Sequence, residues 1–109
     1  MLLPADIEAA VENSLLDRGP VLQSQILQVP HHGSLTSSQP AFIEAVAPRW
    51  AVFSARARER FPVPHPEILR RYQERGVKIL RTDQEGAIRF SYRKGRWAGE
   101  STLKGPFNY

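Results

Sequence analysis

Apolar residues recur with the period of an α-helix in three segments of the chain. In the first segment, Ile7, Val11 and Leu15 are spaced four residues apart and would line one face of a helix. The second segment begins with Ser38, a residue type that caps helix N-termini, and the third begins with Pro66, which suits a first helical turn. The pattern therefore predicts three helices, over residues 5–19, 38–48 and 66–76.

Shorter apolar runs separate these helices and predict β-strands. The runs cover residues 24–30, 49–55, 77–82, 87–92 and 96–101, and residues 1–4 have the character of the truncated end of a further strand. Strands that alternate with helices of this length favour βαβ crossovers and a parallel sheet. A turn of sequence Arg-Lys-Gly-Arg joins the last two strands. The sequence thus predicts one α/β domain that contains βαβαβ units and a C-terminal β-hairpin.

Composition and charge narrow the class of protein only a little. The chain has 109 residues, enough for one domain with a core, and the absence of cysteine excludes disulfides and thiolate metal sites. No apolar run approaches the roughly 20 residues of a membrane span. The formal net charge is +4, and the cations are clustered rather than evenly spread. Such an excess is compatible with an anionic partner but is also common in proteins that have none.

Two adjacent histidines follow the strand predicted over residues 24–30, and Gly33 after them allows a sharp turn. Imidazole is a common ligand of zinc and manganese, so His31 or His32 could bind a metal ion. Neighbouring side chains of an extended segment point to opposite sides, so at most one ring would face a given site. Alternatively, both rings could hydrogen-bond the hydroxyl groups that follow between residues 34 and 38.

Asp6 and His65 each admit a structural and a functional interpretation. Asp6 could cap the first helix, or it could be a carboxylate ligand at the end of the strand over residues 1–4. His65 lies between two prolines and could cap the helix that begins at Pro66, be a simple loop residue, or contribute to a site. In a parallel sheet, loops that follow strands meet at one edge, so these residues and the histidine pair could converge there.

Three alternating arginines precede His65 along the chain. Arg56, Arg58 and Arg60 would point the same way in an extended loop and could bind phosphate through bidentate hydrogen bonds. A solvated run of surface charge accounts for them equally well. The aromatic residues of the predicted strands are assigned to the core rather than to base stacking: Trp50, Phe53, Phe90 and Trp97.

Three stretches, taken in order, are more specific than any single feature: LLPADIEAAVENSLL, ILQVPHHGSLTSSQPAFIEAVAPRWAVFSA and HPEILRRYQERGVKILRTDQEGAIRF. Together they resemble the end of ComEC-type DNA-internalisation competence proteins, from Leu2 to about Tyr92. The resemblance implies that residues 1–109 are the C-terminal half of a metallo-β-lactamase-like domain, an αββα sandwich of two similar halves, in a larger membrane protein. A first half with a His-x-His-x-Asp-His motif would precede it.

The resemblance also implies roles for individual residues. Asp6 matches an aspartate that bridges metal ions in the family, although alanine precedes it where the family has glycine. The histidine pair matches the family's HHGS segment, with His31 preferred as the metal ligand and His32 and His65 as weaker candidates. The family loop SxGxxNxxGHP is changed to SARARERFPVPHP, which places Val63 at the histidine position. Zinc or manganese would belong to the intact domain, and we expect no enzymatic turnover from this chain alone.

Two hypotheses of function in DNA uptake follow from the resemblance, beside a third in which the domain is a degenerate structural remnant that only packs against its missing half. In the first, the intact domain is a metal-dependent nuclease at the import channel. In the second, it is a non-catalytic DNA-contacting or assembly module with a degenerate metal site, and Arg56, Arg58 and Arg60 guide single- or double-stranded DNA. Both hypotheses place the domain at the bacterial inner membrane, and the periplasmic side is favoured. Its partners there would be its N-terminal half and the membrane channel. Without that half an apolar face or unpaired edge should be exposed, so we expect homodimers.

Overall fold

Parallel strands alternate with helices along most of the chain, and antiparallel strands follow. The computed structural model describes residues 1–5, 7–17, 22–54 and 64–107, with His31 as backbone only. Within these ranges the helices are α1 (Ala9–Asp17), α2 (Pro40–Val46), α3 (Pro66–Gln73) and the single turn α4 (Thr82–Glu85), and a 3-10 helix covers Pro30–Gly33. The strands are β1 (Ile26–Gln28), β2 (Trp50–Phe53), β3 (Lys78–Arg81), β4 (Ile88–Arg93), β5 (Arg96–Ser101) and β6 (Gly105–Phe107). The mixed α/β class is confirmed.

The strands described form two small sheets. In the first, β1, β2 and β3 are parallel and lie in chain order, so that Trp50 of β2 is opposite Ile26 on one side and Lys78 on the other. Leu2 forms a parallel bridge with Leu27 of β1, which places the predicted N-terminal strand at the outer edge. In the second sheet, β4, β5 and β6 are antiparallel and again lie in chain order.

Side chains of the parallel sheet alternate between two apolar layers, as the two-residue period of a strand requires. Leu27 and Phe53 pack against apolar residues of α2 and α3 in one core cluster. Ile26, Trp50 and Leu80 form a second cluster with aromatic residues of the antiparallel sheet. The order of layers is therefore helices, parallel sheet, antiparallel sheet. One face of the parallel sheet is covered by helices and the other, in part, by the antiparallel sheet, and the loops that follow its strands lie at their carboxyl ends.

The structure corrects several details of the predicted elements. Ser38 does not cap α2, because the N-cap position is occupied by Gln39, whose side chain makes no cap hydrogen bond. Val11 of α1 is 46% exposed, whereas Glu12 beside it is fully buried, so the predicted apolar stripe was wrong at this turn. The predicted hairpin gains a third strand, β6, and α4 forms where we predicted no helix. None of the helices in the described ranges is long and apolar enough to span a bilayer.

Candidate functional site at the carboxyl ends of the parallel strands

The histidine pair lies in the 3-10 helix that follows β1, at the carboxyl end of the parallel sheet. His32 has a positive φ of 54°, and its Nδ1 is 2.9 Å from the carbonyl oxygen of Ser54, the residue after β2. A carbonyl oxygen only accepts hydrogen bonds, so Nδ1 carries the proton, and in the neutral ring Nε2 is the basic nitrogen. We predicted hydroxyl groups as the partners of this ring, and this carbonyl was not among them.

Gly33 connects the histidine segment to the loop that follows β2. Its φ is +81°, and a Cβ at this position would lie 2.7 Å from Cβ of Pro64 and 2.8 Å from the ring of Phe53. Its carbonyl accepts the backbone N–H of His65 at 3.0 Å. Only glycine combines this backbone conformation with such close approach. The residues on both sides of segment 55–63 are thereby fixed next to the histidine segment.

His65 caps helix α3, as one of the interpretations of the sequence predicted. Its Nδ1 accepts the backbone N–H of Glu67 at 3.1 Å. The proton of the neutral ring is therefore on Nε2, the opposite arrangement to that in His32. Arg70 and Arg71 in the last turn of α3 complement the negative end of the helix dipole, as Glu67 does the positive end.

Glu12 holds the serine-rich loop that follows the histidines. Its two carboxylate oxygens accept the backbone N–H groups of Ser38 at 2.6 Å and of Gln39 at 3.0 Å, and these are N–H groups at the start of α2. Burial raises the pKa of the Glu12 carboxyl above its ordinary value of 4.5, while the two N–H groups and the Arg71 charge act in the opposite direction. A carboxylate of α1 thus supplies the capping interaction that we had assigned to a serine hydroxyl.

The same loop is fixed to α3 by side chains of that helix. The hydroxyl groups of Ser38 and Tyr72 are 2.9 Å apart, and Arg71 donates from its guanidinium to the carbonyl of Ser38 at 3.2 Å. Burial raises the pKa of the Tyr72 hydroxyl, so this group stays protonated. Ser38 has a φ of 58°, a conformation that these bonds on both sides of the residue maintain. We call the set Glu12, Ser38, Arg71 and Tyr72 the buried polar cluster.

The chain that follows Asp6 is hydrogen-bonded to the serine-rich loop. The Ser37 hydroxyl donates to the carbonyl of Ile7 at 2.5 Å, and the Ala9 N–H donates to the carbonyl of Thr36 at 2.9 Å. The first helix and the loop after the histidines therefore meet at the carboxyl edge of the sheet. Asp6 itself lies outside the described residues.

A further ion pair stands at the carboxyl end of β3. The guanidinium of Arg81 donates to the two carboxylate oxygens of Asp83, with Nε–Oδ1 at 3.0 Å and Nη2–Oδ2 at 2.7 Å. These hydrogen bonds hold the pKa of the Asp83 carboxyl below its ordinary value of 3.8. Both side chains are largely buried, so this pair fixes the turn α4 and completes the row of polar groups along the edge.

Several of the proposed site residues fall outside what the structure describes: Asp6, the side chain of His31, and Arg56, Arg58 and Arg60. Across residues 1–5, 7–17, 22–54 and 64–107, no group of three or more histidine or carboxylate side chains is arranged to hold a metal ion. The role of these residues as metal or DNA ligands therefore stays a prediction.

The buried polar cluster was missed by the sequence analysis, although one signal for it existed. Glu12 precedes Leu15 and Leu16 by three and four residues and so shares the helix face of these partly buried residues. A carboxylate on a buried helix face requires donors, but the sequence does not indicate which donors these are. Nothing in the sequence pattern indicates that Tyr72 would reach Ser38.

Comparison with known proteins shows similarity to parts of three longer bacterial proteins. The chain is 34% identical over 92 residues to ComE operon protein 3 of Bacillus subtilis (strain 168), a match that covers 84% of the chain and 12% of the relative. It is 38% identical over 96 residues to Competence protein ComA of Neisseria gonorrhoeae, covering 87% of the chain and 14% of the relative. It is 35% identical over 98 residues to Uncharacterized protein YcaI of Escherichia coli (strain K12), covering 89% and 13%.

The chain therefore spans between 12% and 14% of the length of these relatives. No family model matches the chain. No solved structure matches it either.

Proposed function

Because this chain is related over most of its length to competence-related proteins, we propose that it is part of a DNA-uptake protein that acts in natural transformation. We propose further that it is the C-terminal half of a metallo-β-lactamase-like αββα sandwich. The order of its layers supports this assignment, since helices, a parallel sheet and a second sheet are stacked in that sequence. In the intact protein, a homologous N-terminal half would complete the sandwich.

In this proposal the carboxyl edge of the parallel sheet contacts the DNA backbone. The observation that carries it is the pair of hydrogen bonds from His32 to Ser54 and from His65 to Gly33. They fix Ser54 and His65, the described residues on either side of segment 55–63, beside the histidine segment, and the sequence between them contains Arg56, Arg58 and Arg60. One guanidinium group can donate two parallel hydrogen bonds to a phosphate. Arginines in the segment that joins Ser54 to Pro64 are therefore suited to holding a nucleic-acid backbone.

The experiment is a measurement of DNA affinity at several salt concentrations for the wild-type chain and for Arg56→Ala/Arg58→Ala/Arg60→Ala. Each phosphate contact that is lost should lower the slope of log affinity against log salt by about 0.7 for single strands and about 0.9 for duplex. The matched control, Arg70→Ala/Arg89→Ala/Lys104→Ala, removes three cations that form surface ion pairs on other elements. An equal loss in both variants, or no binding by the wild type, would contradict the proposed site.

A second candidate function is metal-dependent hydrolysis of a phosphodiester in the intact domain. The tautomer of His32 favours it, because a histidine that donates Nδ1–H to a backbone carbonyl has Nε2 as its ligating nitrogen. Asp6 and one of His31 and His32 would hold the ion. A bound zinc or manganese ion would supply a Lewis acid and an activated water. His65 is less suited, because its Nδ1 already caps α3.

Two measurements test the second function. A nuclease assay on the longer natural protein, with and without Asp6→Ala, should show loss of activity in the variant, and equal activity in both would argue against a metal role for Asp6. Zinc titration by calorimetry into the longer natural protein compares the wild type with His31→Gln and His32→Gln. Weaker binding in only one of them identifies the ring that faces the site. We expect no turnover by the 109-residue chain on its own.

We also propose that the longer protein lies in the bacterial inner membrane with this region on the periplasmic side, next to the channel through which DNA passes. Protease treatment of spheroplasts tests the orientation. Cleavage within this region before lysis is the expected result, and protection until the membrane is broken would place it on the other side.

A further inference from the structure

The tip of the β4–β5 hairpin is a tight and well-defined turn. Arg93 and Arg96 are directly opposite each other at the end of the ladder, and Lys94 and Gly95 between them have φ values of 51° and 76°. Two successive residues with positive φ are typical of a type I′ turn, which matches the twist of the strands it joins. β6 pairs only with residues 99–101 of β5, so the tip is a ribbon two strands wide. Its residues from Ser91 to Arg96 are exposed.

The cations of this tip differ from the other cations of the antiparallel sheet. Arg89 pairs with Glu100, and Lys104 pairs with Glu85. Within the part of the chain that the structure describes, no acidic side chain forms an ion pair with Arg93, Lys94 or Arg96. Like charges directly opposite in a sheet are destabilising. The tip therefore brings together three cations that form no ion pair with the described acidic side chains. A binding site for a polyanion has this arrangement of charge.

An aromatic ring lies at the same hairpin tip, on the face opposite to that of Arg93 and Arg96. Tyr92 is 62% exposed, and its ring stands 5.0 Å from that of Trp97, its direct cross-strand neighbour. Trp97 contacts Phe90 at 6.4 Å between centroids, and Phe90 contacts Phe107 at 5.6 Å. The series of rings runs from the second core cluster out to the tip. The ring of Tyr92 is thus positioned by packed neighbours while much of it remains open to solvent.

We propose that the β4–β5 hairpin tip binds single-stranded nucleic acid, with a base stacked on Tyr92 and phosphates held by Arg93, Lys94 and Arg96. Exposed rings next to cations are the combination that binds single strands without sequence preference, because every base has a stacking face. In a duplex the bases are stacked on one another and cannot pack against the ring. Tyr92 and the arginine pair lie on opposite faces of a ribbon two strands wide, so in this proposal the bound strand passes around the edge of the ribbon.

An anionic membrane surface would be an alternative partner for exposed cations and an aromatic ring. A hairpin that enters a membrane carries apolar residues at its tip, whereas this one has Lys94 and Gly95 there. The tip is therefore suited to a hydrated anion that also offers flat rings. The choice of nucleic acid as ligand agrees with the proposed function and rests on it, but the site is separate from the carboxyl edge of the parallel sheet.

The test measures binding of a fluorescein-labelled oligo-dT and of the corresponding duplex to the full chain by anisotropy, at several salt concentrations. Arg93→Ala/Lys94→Ala/Arg96→Ala should lower the salt slope by about 2, which is three lost phosphate contacts at about 0.7 each. Tyr92→Ala should weaken oligo-dT binding between roughly fivefold and a hundredfold, the range of one base stacked on a ring, and should leave the salt slope unchanged. Tyr92→Phe should bind as the wild type does. Circular dichroism confirms that each variant is folded.

The comparison with Arg56→Ala/Arg58→Ala/Arg60→Ala separates this proposal from the function proposed above. If the loop variant loses binding while the hairpin variants do not, the hairpin proposal is overturned and the proposed function stands. If only the hairpin variants lose binding, the hairpin is the site and the loop is not. Equal effects of Tyr92→Ala on oligo-dT and duplex would overturn the stacking role. Binding of the wild type to anionic vesicles and to duplex but not to oligo-dT would overturn the hairpin proposal alone, whereas binding to neither form of DNA would overturn both proposals.

Discussion

At the scale of single residues, Glu12 is a buried carboxylate that connects two helices. Its carboxylate on α1 accepts two N–H groups at the start of α2, and the segment between them contains the histidine pair. A buried carboxylate is costly unless donors surround it, so the position of the serine-rich loop and the ionisation of Glu12 depend on each other. The geometry of the candidate site is therefore set partly from a helix that carries none of its candidate ligands.

Replacing Glu12 by glutamine tests this dependence. An amide offers one acceptor oxygen and turns an N–H₂ group toward a backbone donor, so one buried N–H loses its partner. The free energy of unfolding should fall by about 1–3 kcal/mol. Urea denaturation near neutral pH measures it. The control Glu44→Gln changes a side chain that is 65% exposed and should cost less than about 1 kcal/mol. Equal costs for the two variants would show that Glu12 does not hold the loop.

A second residue-scale prediction concerns Gly33. Gly33→Ala and Gly76→Ala both place a side chain at positive φ, at a cost of about 1–2 kcal/mol each. A Cβ at Gly76 meets nothing within 4 Å, whereas at Gly33 it meets Pro64 and Phe53 below 3 Å. Crowding around the new Cβ should lower the free energy of unfolding of Gly33→Ala by about 1–3 kcal/mol more. Thermal unfolding compares the two, and similar losses would mean that the contacts around Gly33 relax without penalty.

At the scale of elements, the strands of the parallel sheet were predictable because their apolar character is set locally. Each is short, carries at least one apolar side chain on each face and is bounded by polar or turn residues, which is close to the pattern of a buried parallel strand. β6 was missed because Gly105 and Pro106 argue against a strand and are tolerated only where an edge pairs on one side. The cap of α2 was missed for a different reason. It comes from a residue 26 positions away, and local patterns hold no information about such a contact.

The ion pair at the end of β3 leads to a prediction about pH. The pKa of Asp83 in the folded protein lies below 3.8 because Arg81 donates two hydrogen bonds to it. A depressed pKa contributes stability above the unfolded value, and that contribution is lost as the pH falls through the folded value. Asp83→Asn should therefore lower the free energy of unfolding by about 1 kcal/mol near neutral pH. The difference from the wild type should shrink below about pH 4.

Urea denaturation of both proteins across this range of pH measures the effect. A difference that stays constant from neutral pH down to about pH 2 would show that the carboxylate charge of Asp83 does not stabilise the end of β3. Glu44→Gln again serves as a control, because an exposed carboxylate should change little over the same range.

At the scale of the whole molecule, the stack of layers is open at one edge. Next to the bridge at Leu2, a cleft of about 350 Å³ lies between the two sheets and is lined mostly by apolar residues: Met1, Leu3, Ile26, Gln28, Val52, Ile88 and Phe90. Met1 and Leu3 are 55% and 63% exposed. The antiparallel sheet covers the second face of the parallel sheet only in part. We expected an exposed apolar face or an unpaired edge, and the exposed apolar surface is a cleft at the edge of the sheet. Exposed apolar patches of this kind favour association.

Self-association should therefore depend on Leu3. Sedimentation analysis of the wild type at high concentration is expected to show dimers, and Leu3→Asp should shift the equilibrium to monomers by placing a charge in the cleft. Leu103→Asp introduces the same charge at a leucine that is 69% exposed but lies away from the cleft, and it should leave the equilibrium unchanged. A wild type that remains monomeric at high concentration, or equal effects of both variants, would contradict this assignment.

The agreement of strand order with chain order has a consequence for synthesis on the ribosome. When β2 or β3 leaves the exit tunnel, the strand that it pairs with has already been synthesised. Pairing then closes only the loop between two consecutive strands, which contains one helix. The face of the sheet that bears Ile26, Trp50 and Leu80 is buried later, because the antiparallel sheet that packs on it is translated last. A nascent chain in which β3 has emerged but β4 has not therefore exposes this apolar surface. Chaperone binding during translation should peak at that point and end when β5 and β6 emerge.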